Sequence, residues 1–160
     1  MKKLIVIMCV LTFALSIGLV PVDLRGEDEQ GTEAVEYRHR LELFLGGTHE
    51  GSQGDFATGM SYGYRISKLF GVGGFIEYTR KEEDVWTFGV PLYVYPYQGV
   101  RLLLAPGLER EGSKNEFLVR LGIAYEFEID RWSIAPEFNI DLVEGGRRVL
   151  VYGLSFGYGF

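Results

Sequence analysis

Residues 150–160, LVYGLSFGYGF, carry the pattern that decides the fold. Leucine, tyrosine and phenylalanine occupy every second position, and valine, glycine and serine occupy the positions between them. Successive side chains of a β-strand point to opposite faces. The stretch therefore predicts a strand with one large apolar face and one face of mostly small side chains.

Seven further segments with the same period of two precede this stretch. One of them, residues 117–127, reads FLVRLGIAYEF, and small or charged residues separate most of its bulky apolar positions. Turn-like breaks lie at residues 46–55, 67–71, 80–84, 96–99, 110–116, 130–131 and 144–148. An even number of antiparallel strands joined by short turns is typical of an up-and-down barrel. The sequence thus predicts an all-β, eight-stranded antiparallel up-and-down transmembrane barrel over residues 37–160.

The composition limits the other classes of function. The chain has 160 residues, 22 of them glycine, with 14% aromatic residues and a net charge of −6. It contains no block of basic residues that could follow a nucleic-acid backbone, so we expect no nucleic-acid partner. The single cysteine, Cys9, excludes a disulfide framework. Two histidines, His39 and His49, leave little material for acid–base or metal chemistry, and we expect no cofactor and no metal site.

The N-terminus predicts export. Lys2 and Lys3 precede an apolar run over residues 4–20, which is the pattern of a secretory signal peptide. We assign residues 1–20 to this signal, although the cleavage site is poorly marked, and a retained membrane anchor is the alternative. Cys9 lies inside the apolar run rather than after it, which argues against a lipoprotein. Residues 21–36 are acidic and aperiodic, so we expect a disordered lead-in.

The two faces of the strands could be arranged in two ways. A soluble barrel buries its apolar face, whereas an outer-membrane barrel turns that face to lipid and encloses the polar one. Eight strands enclose a lumen only wide enough to be filled by side chains. The bulky residues of the apolar face are too many for that space, whereas the small and charged residues fit. The sequence therefore favours a barrel in the bacterial outer membrane.

Charges of both signs fall on the face that we assign to the lumen. They form a predicted lumen charge network of Arg40, Glu42, Arg65, Glu77, Arg101, Glu109, Arg120, Glu126, Glu137 and Asp141. Burial of an unpaired charge is costly, so pairing is expected. Such pairs would fill the lumen and close it. Pro91, Pro106 and Pro136 fall inside predicted strands, where we expect bulges or kinks because proline lacks an N–H for the ladder.

The end of the chain resembles the last strand of bacterial outer-membrane proteins. In that class the final residue is an aromatic, usually phenylalanine, preceded by apolar residues at alternate positions. Here the matching residues are Tyr152, Leu154, Phe156, Tyr158 and Phe160. The resemblance implies recognition by the barrel assembly machinery, and it places residues 37–160 among small barrels of the general type of the outer membrane protein A and X domains.

The predicted function is that of a non-enzymatic integral outer-membrane protein with a structural or envelope-interaction role. We expect a monomer whose partners are the lipid bilayer and, during biogenesis, the assembly machinery. Two alternatives stay open: a narrow channel or carrier for small solutes, and a lipid A-modifying enzyme. The enzyme is disfavoured because no serine lies near His39 in the sequence, and because His49 and Ser52 fall in a polar, turn-like segment.

Overall fold

The computed structural model describes residues 37–160, so the predicted signal peptide and lead-in lie outside the described residues. The described part contains ten strand segments, numbered in chain order. They are β1 (His39–Glu50), β2 (Gln53–Arg65), β3 (Phe70–Arg80), β4 (Val85–Gly89), β5 (Leu92–Tyr97), β6 (Val100–Glu111), β7 (Lys114–Tyr125), β8 (Phe127–Ile129), β9 (Trp132–Val143) and β10 (Arg148–Gly159). No helix within residues 37–160 is long and apolar enough to cross a membrane.

All pairings are antiparallel, and β10 pairs with both β9 and β1, so the sheet closes on itself. Segments β4 and β5 both lie between β3 and β6, and together they form one strand. Likewise β7 and β8 both pair with β9 and follow each other along one strand. The ten segments therefore make an eight-stranded closed barrel, which confirms the predicted all-β, eight-stranded antiparallel architecture.

The three prolines interrupt the ladder without shifting it. On the two sides of Pro91 the pairs Phe75↔Gly89 and Val72↔Leu92 have the same register. The register also runs unchanged through Pro106 and through Pro136. The expected bulges are thus wrong at these three positions, because a proline removes only its own N–H and its carbonyl still accepts a bond. The expected kinks stay a prediction. Within the described residues, the register shift lies between Val94 and Tyr97, a span that contains a fourth proline, Pro96.

The turns are shorter than the sequence suggested. The predicted break at residues 46–55 is wrong: β1 continues to Glu50 and β2 begins at Gln53, so only residues 51–52 form the turn. Gly46 lies within the strand because the neighbouring backbone passes close to it, and a Cβ there would collide with the Tyr152 carbonyl. Gly51 has a φ of 63°, which suits glycine in a tight hairpin.

The barrel has two distinct ends. The terminal end carries residues 37 and 160 with the turns after β2, β5 and β8, and the loop end carries the turns after β1, β3, β6 and β9. Large apolar side chains are exposed on the outer surface, as predicted from the alternation; examples are Leu43, Phe88 and Ile123. Small and charged side chains fill most of the interior, together with a few larger ones such as Phe44, Tyr93 and Leu118. The predicted assignment of the two faces is therefore confirmed.

Candidate functional site in the barrel lumen

Alternation along six strands, β1, β2, β3, β6, β7 and β9, carries the charged side chains into the lumen. Because lumen-facing residues occupy every second position, Glu42 of β1, Glu77 of β3 and Arg101 of β6 all point inward. The arginines at the centre are almost completely removed from solvent: Arg101 is 3% exposed and Arg120 is 4% exposed. Charges buried this deeply require partners, and each of the two has several.

Arg120 on β7 forms the middle cluster with two carboxylates on opposite sides of it. Its Nε and Nη2 donate to the Asp141 oxygens at 2.6 and 2.7 Å. Its Nη1 and Nη2 donate to the Glu77 oxygens at 2.8 and 2.9 Å. The guanidinium also lies over the Phe75 ring, 4.6 Å from its centroid. Two-pronged contacts to both acids fix the arginine across the lumen and tie β3, β7 and β9 together.

Arg101 on β6 forms a second cluster nearer the terminal end. Its Nη1 donates to both Glu42 oxygens, at 2.7 and 2.9 Å, and lies 2.9 Å from Glu126 Oε1. Its Nη2 lies 3.6 Å from Glu137 Oε2. Serine hydroxyls hold two of these carboxylates, since Ser61 donates to Glu42 at 3.0 Å and Ser155 donates to Glu137. One guanidinium thereby contacts acids from three other parts of the barrel wall.

The remaining predicted arginines lie close to the terminal end. Arg40 makes ion pairs with Glu126 and with Glu128, which is not among the predicted residues. Two atoms here are in ion pairs without a well-directed hydrogen bond: Arg40 Nη1, which pairs with Glu126 Oε2, and Glu126 Oε1, which pairs with Arg101 Nη1. These contacts are therefore mainly electrostatic. Arg65 stacks on an aromatic ring, with its guanidinium carbon 3.9 Å from the centroid of Tyr95.

A third cluster at the loop end is centred on Arg147, which the sequence reasoning missed. Its guanidinium contacts Glu109, Glu50 at 3.3 Å and Glu116 at 2.6 Å, and Lys81 holds Glu50 at 2.8 Å. Burial alone would lower the pKa of Arg147, but the bonds to Glu109 and Glu116 raise it above its ordinary value. The alternation gave no signal here, because Arg147 belongs to a turn.

The Arg147 turn folds over the lumen mouth. The amide of Val143 donates to the Arg147 carbonyl at 2.9 Å. Gly145 and Gly146 have φ values of 92° and 89°, a left-handed backbone that glycine adopts without strain. These two residues allow the sharp reversal that brings Arg147 back over its three carboxylates.

Little space is left between the clusters. A vestibule of about 730 Å³ opens at the loop end and is lined by acidic and basic side chains, including Arg147. Between the Arg101 and Arg120 clusters the cavity measures about 40 Å³, and beside Arg40 and Arg65 it measures about 10 Å³. A buried water needs roughly 10–15 Å³ of such volume. The inner cavities therefore have room for a few waters and not for a solute.

The histidines do not assemble a catalytic group within the described residues. His39 lies on the outer wall, where its Nδ1 is 2.6 Å from the Tyr62 hydroxyl and its ring stacks on Phe160. His49 lies beside Gly54 near the loop end. No group of three or more His, Cys, Asp or Glu side chains in residues 37–160 is arranged to hold a metal ion.

Comparison with known proteins gives structural relatives only. No family model matches the sequence, and no curated protein matches it. Among solved structures, Ail, the attachment invasion locus protein of Yersinia pestis, is 16% identical, with a TM-score of 0.53 over 78% of this chain and 99% of Ail. Ail has also been solved in a phospholipid bilayer nanodisc.

Two further barrels are similar. Neisserial surface protein A is 12% identical, with a TM-score of 0.56 over 76% of this chain and 96% of that one. The N-terminal barrel domain of Pseudomonas aeruginosa OprF is 12% identical, with a TM-score of 0.53 over 78% of this chain and all of that one (100%). The chain therefore has the fold of the small eight-stranded outer-membrane β-barrel proteins. At the level of the fold, this confirms the resemblance indicated by the last strand.

Proposed function

We propose that this protein is an integral outer-membrane barrel whose lumen is closed by ion pairs, with a non-enzymatic structural or envelope-interaction role. The observation that carries the proposal is the burial of Arg101 and Arg120, which lie across the lumen and contact carboxylates on several strands. In a water-filled pore these side chains would be solvated. Here they take up the space that water would need.

Several features support placement in the membrane. A strand such as β7 has 12 residues, which corresponds to about 40 Å at about 3.3 Å per residue and roughly 30 Å after a tilt of about 40°. That length exceeds an apolar band of about 25 Å. Aromatic pairs lie near both ends, Tyr78 with Trp86 at one and Trp132 with Tyr158 at the other.

The proposed assembly signal also lies on the outer wall. Tyr152, Leu154, Phe156 and Phe160 are exposed, with Leu154 and Phe156 next to Leu45 and Leu43 of β1 across the seam that closes the barrel. We assign these residues, together with Tyr158, to recognition by the barrel assembly machinery. A monomer suits the closed sheet, because a closed barrel has no free strand edge to pair with another chain.

The test is conductance in a planar lipid bilayer. The purified wild-type chain should produce no steady porin-like current, whereas a known general porin inserted under the same conditions should conduct. The Arg101→Ala/Arg120→Ala variant should show a leak, because two blocking side chains have been removed. A large, steady wild-type current would disprove the closed lumen and favour the channel alternative. Fractionation of cells into inner and outer membranes tests the location separately.

A further inference from the structure

The outer wall contains a depression at Gly74. In the outward row formed by Tyr62, Gly74, Val90 and Pro106, Gly74 is the only position without a side chain. A Cβ at Gly74 would meet nothing closer than the Gly89 carbonyl at 4.0 Å, so the space is empty. The resulting groove has a volume of about 810 Å³ and lies across β2, β3, β4 and β6.

The floor and sides of this Gly74 groove are apolar. The next outward row toward the loop end pairs Met60 with Ile76, Ile76 with Phe88, and Phe88 with Leu108. All four side chains are exposed and line the groove. A groove of this size and composition suits a flexible hydrocarbon chain, which would gain dispersion contacts with the apolar side chains along it.

Polar groups border the groove on its loop-end side. Tyr78 and Trp86 are paired across β3 and β4, with ring centroids 5.1 Å apart, and Arg110 of β6 lies directly opposite Trp86. Arg80, two residues beyond Tyr78 on β3, is exposed on the same face. Tyrosine and tryptophan favour the headgroup level of a bilayer, so this border lies where lipid phosphates are found.

The acidic group on this border already has a partner. Asp84 accepts a hydrogen bond from the Tyr78 hydroxyl at 2.7 Å. Arg80 and Arg110 flank this pair from two strands, and Arg110 Nε donates to the Gly112 carbonyl at 3.5 Å. The neighbouring acids, Glu82, Glu83 and Glu111, line the loop-end vestibule. A ligand that approaches along the outer wall therefore meets the two guanidinium groups and the engaged Asp84 carboxylate first. Guanidinium groups bind phosphate oxygens in a two-pronged geometry.

We infer that the Gly74 groove is a binding site for an anionic, phosphate-bearing membrane lipid, with an acyl chain in the groove and the phosphate between Arg80 and Arg110. The inference rests on the proposed membrane location. A second copy of this chain is the competing occupant. Two-fold pairing through this face would bring the arginines of the two copies together, and like charges would oppose that contact.

Native mass spectrometry of the detergent-solubilised full chain tests the site. The probes are phosphatidylglycerol, which is anionic, and phosphatidylcholine with the same acyl chains, which has no net charge. Wild-type protein should retain more phosphatidylglycerol, by roughly thirtyfold if each of the two arginines contributes about as much as a basic residue near an anionic surface. Inorganic phosphate added in excess distinguishes a lipid site from a simple anion site, because only the latter would be emptied by it.

Three variants complete the design. Arg80→Gln/Arg110→Gln should lower retention of phosphatidylglycerol to that of phosphatidylcholine, and Gly74→Leu should abolish most retention of both. Arg148→Gln, an exposed arginine at the loop end on another strand, is the matched control and should behave like the wild type. Equal retention of both lipids by the wild type would overturn the site. Phosphatidylglycerol retention that the double variant leaves unchanged would also overturn it. A wild-type dimer that Gly74→Leu converts to monomer would show that the groove binds a second copy of the chain instead.

The double variant changes only exposed residues, so it should fold even if Gly74→Leu does not. The site can then still be tested with the double variant alone. Heat-modifiable migration on gels reports folding of each variant independently. Absence of a lipid preference in a wild-type barrel that still fractionates with the outer membrane would refute this site alone. A wild-type barrel absent from the outer membrane would refute the proposed function instead.

Discussion

Glu109 and Glu116 lie directly opposite each other on β6 and β7, with the guanidinium of Arg147 in contact with both. Like charges at directly opposed positions of an antiparallel pair destabilise the sheet. Arg147, in the turn between β9 and β10, pairs with both carboxylates and so offsets their repulsion. At the loop end, one side chain that belongs to no strand thus links β1, β6 and β7.

Arg147→Ala should loosen the loop end while leaving the barrel closed. Without the guanidinium, Glu109 and Glu116 repel each other, and the turn over residues 144–147 loses its anchor. Hydrogen exchange followed by mass spectrometry should show faster exchange in this turn and in the adjoining ends of β6 and β7.

Glu116→Gln added to Arg147→Ala removes one of the two like charges and should restore part of the protection. Glu83→Gln in the same background serves as the control, since Glu83 lines the vestibule without taking part in the Arg147 contacts. If both second changes restore protection equally, the repulsion between Glu109 and Glu116 is not the cause.

Arg120→Ala should destabilise the barrel far more than Arg148→Ala. It leaves Glu77 and Asp141 buried without their shared cation, at a cost on the order of 3–5 kcal/mol, less whatever an entering water recovers. Arg148 lies exposed on the outer wall, so its removal should change the free energy of unfolding little. Urea unfolding in lipid vesicles measures both.

The combination Arg120→Met/Glu77→Gln/Asp141→Asn removes the cation and both acids together. It should regain much of the stability that Arg120→Ala loses, because no charge is left stranded. An Arg120→Ala protein as stable as Arg148→Ala would show that the middle cluster contributes nothing.

Leu121→Arg should impair insertion into the membrane. Leu121 is exposed on the outer wall near the middle of β7, and arginine at the bilayer midplane costs roughly 2–4 kcal/mol. Gly63→Ala is the inward control, since its Cβ would meet only a Tyr93 ring carbon at an ordinary 3.6 Å. Gly122 would be a poor control because a Cβ there collides with Asn139. Equal vesicle-folding yields for both variants would contradict the membrane placement of this wall.

Deletion of Phe160 should reduce assembly in cells more than stability in vitro. The backbone of residue 160 exchanges hydrogen bonds with His39 at 3.2 and 2.9 Å, a small part of the ladder between β1 and β10. We therefore expect less heat-modifiable protein in the outer membrane and more in the periplasm, with urea unfolding of the refolded protein changed little. Phe160→Tyr, which keeps an aromatic residue, is the control. Normal outer-membrane yield after the deletion would remove Phe160 from the assembly signal.

The architecture was predictable because one physical rule governs every strand. A period of two separates bulky from small and charged residues, and a narrow barrel accepts only the second set inside, so residues as distant as Leu43 and Phe156 could be assigned to the outer wall without their pairing. The contacts between charges could not be assigned in this way. Arg101 meets Glu42, 59 positions away, because of the stagger between strands across the barrel, which alternation alone does not specify.

The sequence also mispredicted where the strands would depart from regular geometry. Gly46 and Gly47 suggested a loop, yet they continue β1, because their missing side chains permit a close approach of backbones. Pro91 suggested a bulge, yet the ladder keeps its register and only loses a bond. In both cases the tertiary environment outweighs the local preference of the residue.

The balance of charge inside the barrel determines which ions would pass if it were ever opened. Of the ten lumen charges predicted from the sequence, four are arginines and six are carboxylates, so acids outnumber guanidinium groups along the lumen. An acidic wall of low polarizability attracts cations and repels anions. Any pathway created by loss of Arg101 or Arg120 would shift that balance further, so the resulting leak should be strongly selective for potassium over chloride, and its reversal potential in a salt gradient should approach that of potassium.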